Sequence, residues 1–134
     1  ARDRELLRVG DGEMARILVV DDDGLIQELL RQTLEGQGHE VALASNGSEA
    51  MVIYEGGPVD LVITDMVMPQ KNGIELIRDL TDRDPAVKII AISGGGHLSS
   101  NDYLRIAEIM GVKRTFAKPI EIRPLLNAVT EVLC

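Results

Sequence analysis

The sequence is poor in cysteine, aromatic residues and basic residues, and each shortage excludes a class of protein. Its one cysteine is the last residue, Cys134, so an internal disulfide framework and a thiolate metal cluster are excluded. Aromatic residues make up 2% of the chain and tryptophan is absent, which argues against stacking platforms for nucleic-acid bases. The formal net charge of −8 leaves no basic patch for phosphate contacts. We therefore expect no nucleic-acid partner.

Long apolar runs are missing as well. No run approaches the roughly 18 residues that a membrane span needs, and the first residues carry charges where a secretory signal would have its apolar centre. We therefore expect a cytoplasmic protein with no membrane partner. Hydrophobic residues make up 45% of the 134 residues, which is enough for the core of one domain. We expect residues 1–14 to form a flexible N-terminal extension and residues 15–134 to form the domain.

Five short β-branched runs alternate with five amphipathic segments. The predicted strands cover residues 17–20, 39–44, 62–65, 87–92 and 112–117. Asn46 and Asn72 are each followed three residues later by glutamate, a spacing typical of a capping box at the start of a helix. Pro124 falls in the first turn of the last predicted helix, where backbone donors have no helical partner anyway. Strands that alternate with helices predict an α/β three-layer sandwich, with a five-stranded parallel sheet covered by five helices.

Polar residues follow the predicted strands at one edge of this sheet. The apolar run that begins at Val62 ends on Asp65, and a turn follows at once at Pro69. Parallel α/β sheets bind ligands in the crevice at the carboxyl ends of their strands. The other residues predicted at this edge are Asp21 and Asp22 after the first strand, Ser93 after the fourth, and Lys118 after the fifth.

These residue types together indicate phosphoryl transfer. Three converging carboxylates repel one another unless a cation lies among them. Oxygen ligation completed by water and a phosphate oxygen is the preference of Mg²⁺. The metal and the ammonium of Lys118 would neutralise charge on the phosphoryl oxygens while a nucleophile attacks in line. Asp65 stands alone and central, so we expect it to be the covalent acceptor.

Each residue also has a simpler interpretation. The acids of residues 21–23 could be helix caps, as Asp23 is expected to be, Ser93 could be a turn serine, and Lys118 could be a solvated lysine. Their joint placement, one after each central strand, favours a site. Structural or solvent-facing roles are assigned to four other residues that could carry chemistry, namely His39, His97, Met66 and Met68.

Four ordered motifs make the chain from Arg16 to Leu133 resemble the receiver domain of two-component response regulators. The motifs are Ile17-Leu18-Val19-Val20-Asp21-Asp22, Thr64-Asp65-Met66-Val67-Met68-Pro69 with Asn72-Gly73, Ile92-Ser93-Gly94-Gly95-Gly96, and Phe116-Ala117-Lys118-Pro119. The resemblance implies a flavodoxin-like, CheY-like sheet of order 2-1-3-4-5. It also implies a signalling domain, not an enzyme, that receives a phosphoryl group from a sensor histidine kinase or a histidine phosphotransfer protein and acts on an unknown downstream protein.

The resemblance also implies roles for individual residues. Asp65 would be the phosphoacceptor, and Mg²⁺ would be ligated directly by Asp22, Asp65 and the backbone carbonyl of Val67, with Asp21 acting mainly through water. The phosphoryl oxygens would be bound by Ser93 and Lys118, helped by backbone amides near Met66 and Gly94. We expect Leu25 and Gln27, at the start of the first helix, to face the phosphodonor.

The end of the chain departs from the family pattern at one position. The family often places a switching aromatic residue three positions before the lysine, and Thr115 occupies that position here. Strand alternation sends Thr115 and Phe116 to opposite faces, so the phenylalanine cannot substitute. A mobile loop at residues 94–96 is our hypothesis for the replacement. The resemblance further implies a cis peptide bond between Lys118 and Pro119.

The sequence leaves other functions open. Beside a stand-alone phosphoacceptor that acts as a binding switch or relay, the alternatives are a receiver excised from a longer regulator, a pseudo-receiver that works without phosphorylation, and a Mg²⁺-dependent aspartyl-phosphate phosphohydrolase. Such hydrolases usually carry a second acid two residues after the nucleophile, and Val67 stands there. The complete site argues against the pseudo-receiver. The stand-alone phosphoacceptor is therefore our preferred expectation.

Overall fold

The computed structural model describes residues 15–68, 70–94 and 100–134, except for the side chains of residues 100 and 101. Strands and helices alternate along these residues: β1 (Arg16–Val20), α1 (Gly24–Glu35), β2 (Glu40–Ala44), α2 (Gly47–Glu55), β3 (Leu61–Asp65), α3 (Gly73–Arg83), β4 (Ile89–Ser93), α4 (Ser100–Ile109), β5 (Arg114–Ala117) and α5 (Ile122–Leu133). The predicted extension at residues 1–14 lies outside the described residues. Within them, every helix is too short or too polar to cross a bilayer.

All five strands are parallel and lie in the order β2-β1-β3-β4-β5, so the predicted order is confirmed. β3 and β4 are buried along their whole length, whereas β2 and β5 lie at the edges and are partly exposed. Parallel neighbours end at the same edge of a sheet, and Asp65 accordingly pairs with Ile92 and Ser93 pairs with Ala117. The carboxyl ends of the strands thus form one continuous edge.

A hydrophobic cluster covers each face of the sheet. Ile17, Val19 and Ile63 point to one face, where they pack with α1 and α5. Leu18 and Val62 point to the other face, where they pack with residues of α2, α3 and α4. This alternation along single strands explains why β1 and β3 are apolar at nearly every position, since both of their faces are buried.

The helix starts match the predicted caps in part. The capping box at Asn72 is complete, since its side chain accepts from the Glu75 amide and the Glu75 carboxylate accepts from the Asn72 amide. At Asn46 only half of the box forms, because the Glu49 carboxylate accepts from the Ser45 amide instead. Asp23 caps α1 as expected, and Pro124 lies in the first turn of α5.

Two strands begin two residues later than predicted. β4 starts at Ile89, because the Val87 amide bonds to Asp84 O in a turn. β5 starts at Arg114, because the Val112 amide bonds back to Ala107 O and closes the end of α4. Apolar residues before a strand thus belong to the preceding turn or helix end, and hydrophobic pattern alone does not separate the two cases.

Candidate functional site

The edge formed by the strand ends brings the predicted acids together. Asp65 is the last residue of β3, and Asp21 and Asp22 directly follow β1. One carboxylate oxygen from each of the three acids lies within 4.8 Å of the others. Asp21 and Asp65 are buried whereas Asp22 is exposed, so the cluster has a closed inner side and a side open to water. Ser93, at the end of β4, is buried at the same edge.

Lys118 reaches into this cluster from the strand at the far edge. Its Nζ lies 3.1 Å from Asp21 Oδ2 and 3.3 Å from Asp65 Oδ2. The Lys118 amide donates to Ser93 O at 2.9 Å, which fixes the start of its side chain. A Cβ atom at Gly94 would lie 2.7 Å from Lys118 Cδ, so glycine there leaves the path of the lysine stem open. The Lys118–Pro119 peptide bond is cis, as predicted.

The electrostatics of the cluster follow from burial and crowding. Burial raises the pKa of Asp65 to about 6, and the nearby charge of Asp21 adds to the rise, while Lys118 and the Val67 amide oppose it. Burial also raises the pKa of Asp21. For Lys118 burial lowers the pKa, but the charges of Asp65 and Asp21 outweigh it and the net pKa is raised. The single ammonium therefore leaves the acids with excess negative charge.

The donor set fits a hard divalent cation. All three side chains offer oxygen, which Mg²⁺ prefers, and the exposed side at Asp22 leaves room for the water ligands that this ion keeps. The three carboxylate oxygens lie within 4.8 Å of one another, which is close enough for one cation to be held among them. The role of the Val67 carbonyl as a ligand stays a prediction.

The Met66 amide already has a partner within the sheet. That amide donates to Ile92 O at 2.9 Å, because the hydrogen-bond ladder between β3 and β4 continues for one residue beyond Asp65. The next amide, of Val67, faces Asp65 Oδ1 at 3.5 Å. Contacts of the amides near Met66 with phosphoryl oxygens stay a prediction. Met66 and Met68 have buried side chains in the core cluster, which confirms their packing role.

Two glycines hold the loop that follows β3. The Gly73 amide donates to Met66 O, and a Cβ atom on Gly73 would lie 2.6 Å from both Asp65 O and Met66 Cα. The Gly47 amide, at the start of α2, donates to Lys71 O at 2.9 Å. The loop is therefore fixed at both points. The sequence motif includes Gly73 but does not predict its close contact with the end of β3. The one indication in the sequence is that Gly73 directly follows the helix cap Asn72.

Gln27, which we expect to face the phosphodonor, turns its side-chain amide toward the loop after β1. Its Nε2 donates to Asp21 O at 2.6 Å and to Ala44 O at 3.1 Å, and it lies 3.2 Å from Ser45 Oγ. Leu25, by contrast, is 82% exposed and remains available to a phosphodonor. Helical side chains lean toward the helix N-terminus, and the N-terminus of α1 adjoins the loop that carries the acids. The position of Gln27 in the first turn of α1 thus indicates the direction of its side chain, although not its partners.

The residues around the switch position lie on opposite faces of β5, as predicted. Phe116 packs against the cluster that includes α5, while Thr115 Oγ1 lies 3.5 Å from Glu108 Oε2 of α4. A polar contact thus occupies the position of the usual aromatic. His39 is buried, in keeping with a structural role. His97 and most of the predicted mobile loop at residues 94–96 lie outside the described residues.

Comparisons with known proteins point in one direction. The family model of the response regulator receiver domain matches residues 17–130. The response regulator receiver protein CpdR of Brucella abortus is 35% identical over 90% of this chain and 98% of its own. Sporulation initiation phosphotransferase F of Bacillus subtilis is 31% identical over 88% of this chain and 93% of its own. A CheY-like receiver domain structure from Methanospirillum hungatei superposes with a TM-score of 0.81 at 30% identity, covering 90% of this chain and 94% of that one.

Proposed function

Since the chain belongs to the response regulator receiver domain family and is a phosphoacceptor signalling domain, we propose that Asp65 is the residue that carries the phosphoryl group. Receiver domains accept this group from histidine kinases or phosphotransfer proteins and act as switches, not as true enzymes. One observation carries the assignment: Asp65 is a buried carboxylate with an ammonium 3.3 Å away and two further carboxylates beside it.

Asp65 has the protonation state that a nucleophile needs. Its pKa of about 6 lies below neutrality, so the carboxylate is mostly ionised at pH 7 while keeping more basicity than an ordinary aspartate. A carboxylate oxygen attacks the phosphorus of a phosphohistidine. The new P–O bond forms as the P–N bond breaks, and the departing imidazole keeps the electron pair of that bond and takes a proton from solvent. The product is an aspartyl phosphate.

The surrounding groups bind the charge that arrives. Lys118 pairs with both buried acids before transfer and lies close enough to pair with a phosphoryl oxygen afterwards. The Val67 amide already faces the Asp65 carboxylate, and the Ser93 hydroxyl and the Gly94 amide lie at the end of the neighbouring strand. Preorganised donors of this kind stabilise charge without reorganising during the reaction.

The metal-binding set consists of Asp21, Asp22, Asp65 and the carbonyl of Val67. When bound, Mg²⁺ would neutralise negative charge on the transferring phosphoryl group. Burial is the main cause of the raised pKa of Asp65, and a bound cation would offset the repulsion from Asp21 that adds to it. The apolar side chain of Val67 occupies the position of the second acid of a phosphohydrolase, so that alternative is not favoured. The single-domain organisation, the unknown downstream target and the cytoplasmic location stay proposals.

Intact mass spectrometry tests the assignment of Asp65. The protein is incubated with Mg²⁺ and a small phosphodonor such as acetyl phosphate, and a gain of one phosphoryl group is expected. Asp65→Asn should show no gain, while Asp82→Asn, at an exposed acid of α3, should match the wild type. No gain in the wild type, or an equal gain in Asp65→Asn, would overturn the proposal.

A further inference from the structure

We infer that Gln27 is a positioning residue for the phosphoacceptor site, and this inference rests on the proposed function. Its side-chain amide holds the main chain at Asp21 against the end of β2, and the two acids that follow β1 depend on that main chain for their placement. Gln27 belongs to α1 and touches no carboxylate of the cluster in the contacts described. Its effect on Mg²⁺ binding would therefore be exerted through Asp21.

The orientation of the amide follows from its partners. The two nearest acceptors of Gln27 Nε2 are the backbone carbonyls of Asp21 at 2.6 Å and Ala44 at 3.1 Å. A carbonyl can only accept, so the NH₂ group must face them, and its two hydrogens suffice for two carbonyls. Ser45 Oγ, at 3.2 Å, lies beside them. The side chain thus links α1, the loop after β1 and the end of β2.

Both backbone groups of Asp21 are fixed by this arrangement. Its amide donates to Ala44 O at 3.0 Å, and its carbonyl accepts from Gln27, which also bonds Ala44 O. Its side chain is fixed as well, with Oδ1 accepting from the Asp23 amide at 2.8 Å and Oδ2 facing Lys118. Asp21 is only 2% exposed, so water replaces a lost donor poorly.

Removal of the Gln27 donors should therefore move the acids. The Asp21 carbonyl would lose its short hydrogen bond, and rotation of its peptide toward water also turns the amide of Asp22. The carboxylates of Asp21 and Asp22 would then lose their convergence on Asp65. Partners that orient metal ligands without touching the metal typically contribute 10- to 100-fold to metal affinity.

The variant Gln27→Met tests the inference, because methionine has a similar length and no donor. The matched control is Gln32→Met, on the same helix, where the exposed amide bonds to Glu28 Oε2 within α1. Mg²⁺ affinity is measured by titration of backbone amide shifts, and hydrogen exchange of the Asp22 and Asp23 amides is measured without metal. We expect Gln27→Met to raise the Kd for Mg²⁺ roughly 10-fold and to accelerate exchange, with Gln32→Met unchanged.

The outcomes separate the inference from the proposed function. An unchanged Kd in Gln27→Met beside a lowered Tm would show that Gln27 only anchors α1, and the inference would be wrong. A wild type that neither binds Mg²⁺ nor gains a phosphoryl group would overturn the proposed function and the inference together. If Gln27→Met fails to fold, Gln27→Asn keeps an amide but is one methylene too short. Its Kd should also rise, and an unchanged Kd there counts against the inference.

Discussion

The two strands that lead to Asp65 and Lys118, β3 and β5, differ in burial. β3 is buried along its whole length between two neighbours, and it ends on Asp65, which is 5% exposed. β5 lies at the edge of the sheet, has exposed residues at both of its ends and half-buried residues between them, and leads to Lys118, whose side chain is 24% exposed. Asp65 is thus held by the core, while the ammonium of Lys118 reaches it on a long side chain from the edge of the sheet. The site combines a fixed acid with an adjustable counter-charge.

A substitution at Gly73 should have the largest effect, because it tests how rigid the end of β3 is. In Gly73→Ala the new methyl group would meet Asp65 O and Met66 Cα at 2.6 Å, and both are backbone atoms at the end of β3. We expect a loss of about 2–3 kcal/mol in the free energy of unfolding, measured with urea. Gly24→Ala is the control, since nothing lies within 4 Å of its Cβ position. Equal stability of the two variants would contradict the rigid end of β3.

The energetic cost of the buried acid should depend on pH. Because the pKa of Asp65 is raised to about 6, the native state binds a proton more tightly than the unfolded chain, and acidification through pH 6 removes the cost. Asp65→Asn should therefore stabilise the protein by about 1–2 kcal/mol at pH 7. The gain should shrink as the pH falls from 6 to about 4, because the native acid is protonated in this range while the acid of the unfolded chain is still ionised. A gain that stays constant across this range would contradict the assignment of the pKa.

The next prediction concerns the charge of Lys118. In Lys118→Met the ammonium that lowers the pKa of Asp65 is lost, so this pKa should increase from about 6 toward about 7. A ¹³C NMR titration of the Asp65 carboxyl in metal-free protein measures it. Lys113→Met, an exposed residue just before β5, should leave that pKa unchanged. A pKa that falls or stays constant in Lys118→Met would show that the ammonium is not a counter-charge in solution.

The smallest effect is expected at Thr115. Its hydroxyl lies 3.5 Å from a carboxylate oxygen of Glu108, a long contact between partly exposed groups. Thr115→Ala should change the free energy of unfolding by less than about 0.5 kcal/mol. Phe116→Ala, on the face packed against the α5 cluster, should cost about 2 kcal/mol. A comparable loss of stability in both variants would contradict the weak contact between Thr115 and Glu108.

The sequence was sufficient for the features that depend on strand polarity. Alternating strands and helices require a parallel sheet, and a parallel sheet requires Asp21, Asp65 and Lys118 to meet at one edge. The hydrogen bonds of the amides near Met66 could not be predicted in this way. Which of these amides still bonds to β4 depends on how far the ladder continues, and that is set by register and not by residue type. The partners of Gln27 could not be predicted either, because they depend on how α1 packs over the loop after β1.

The two hydrogen bonds at Gly47 and Gly73 bear on how a signal could leave this domain. They tie Gly73 to Met66 and the start of α2 to Lys71, so a displacement of Met66 or Lys71 would break a hydrogen bond. At the opposite end of the pairing order from β2, every residue of β5 is at least partly exposed, and Ile109 near the end of α4 is exposed as well. We therefore expect a change at Asp65 to displace residues along the sheet, toward the edge that supplies Lys118, more than the residues that follow Asp65 in sequence.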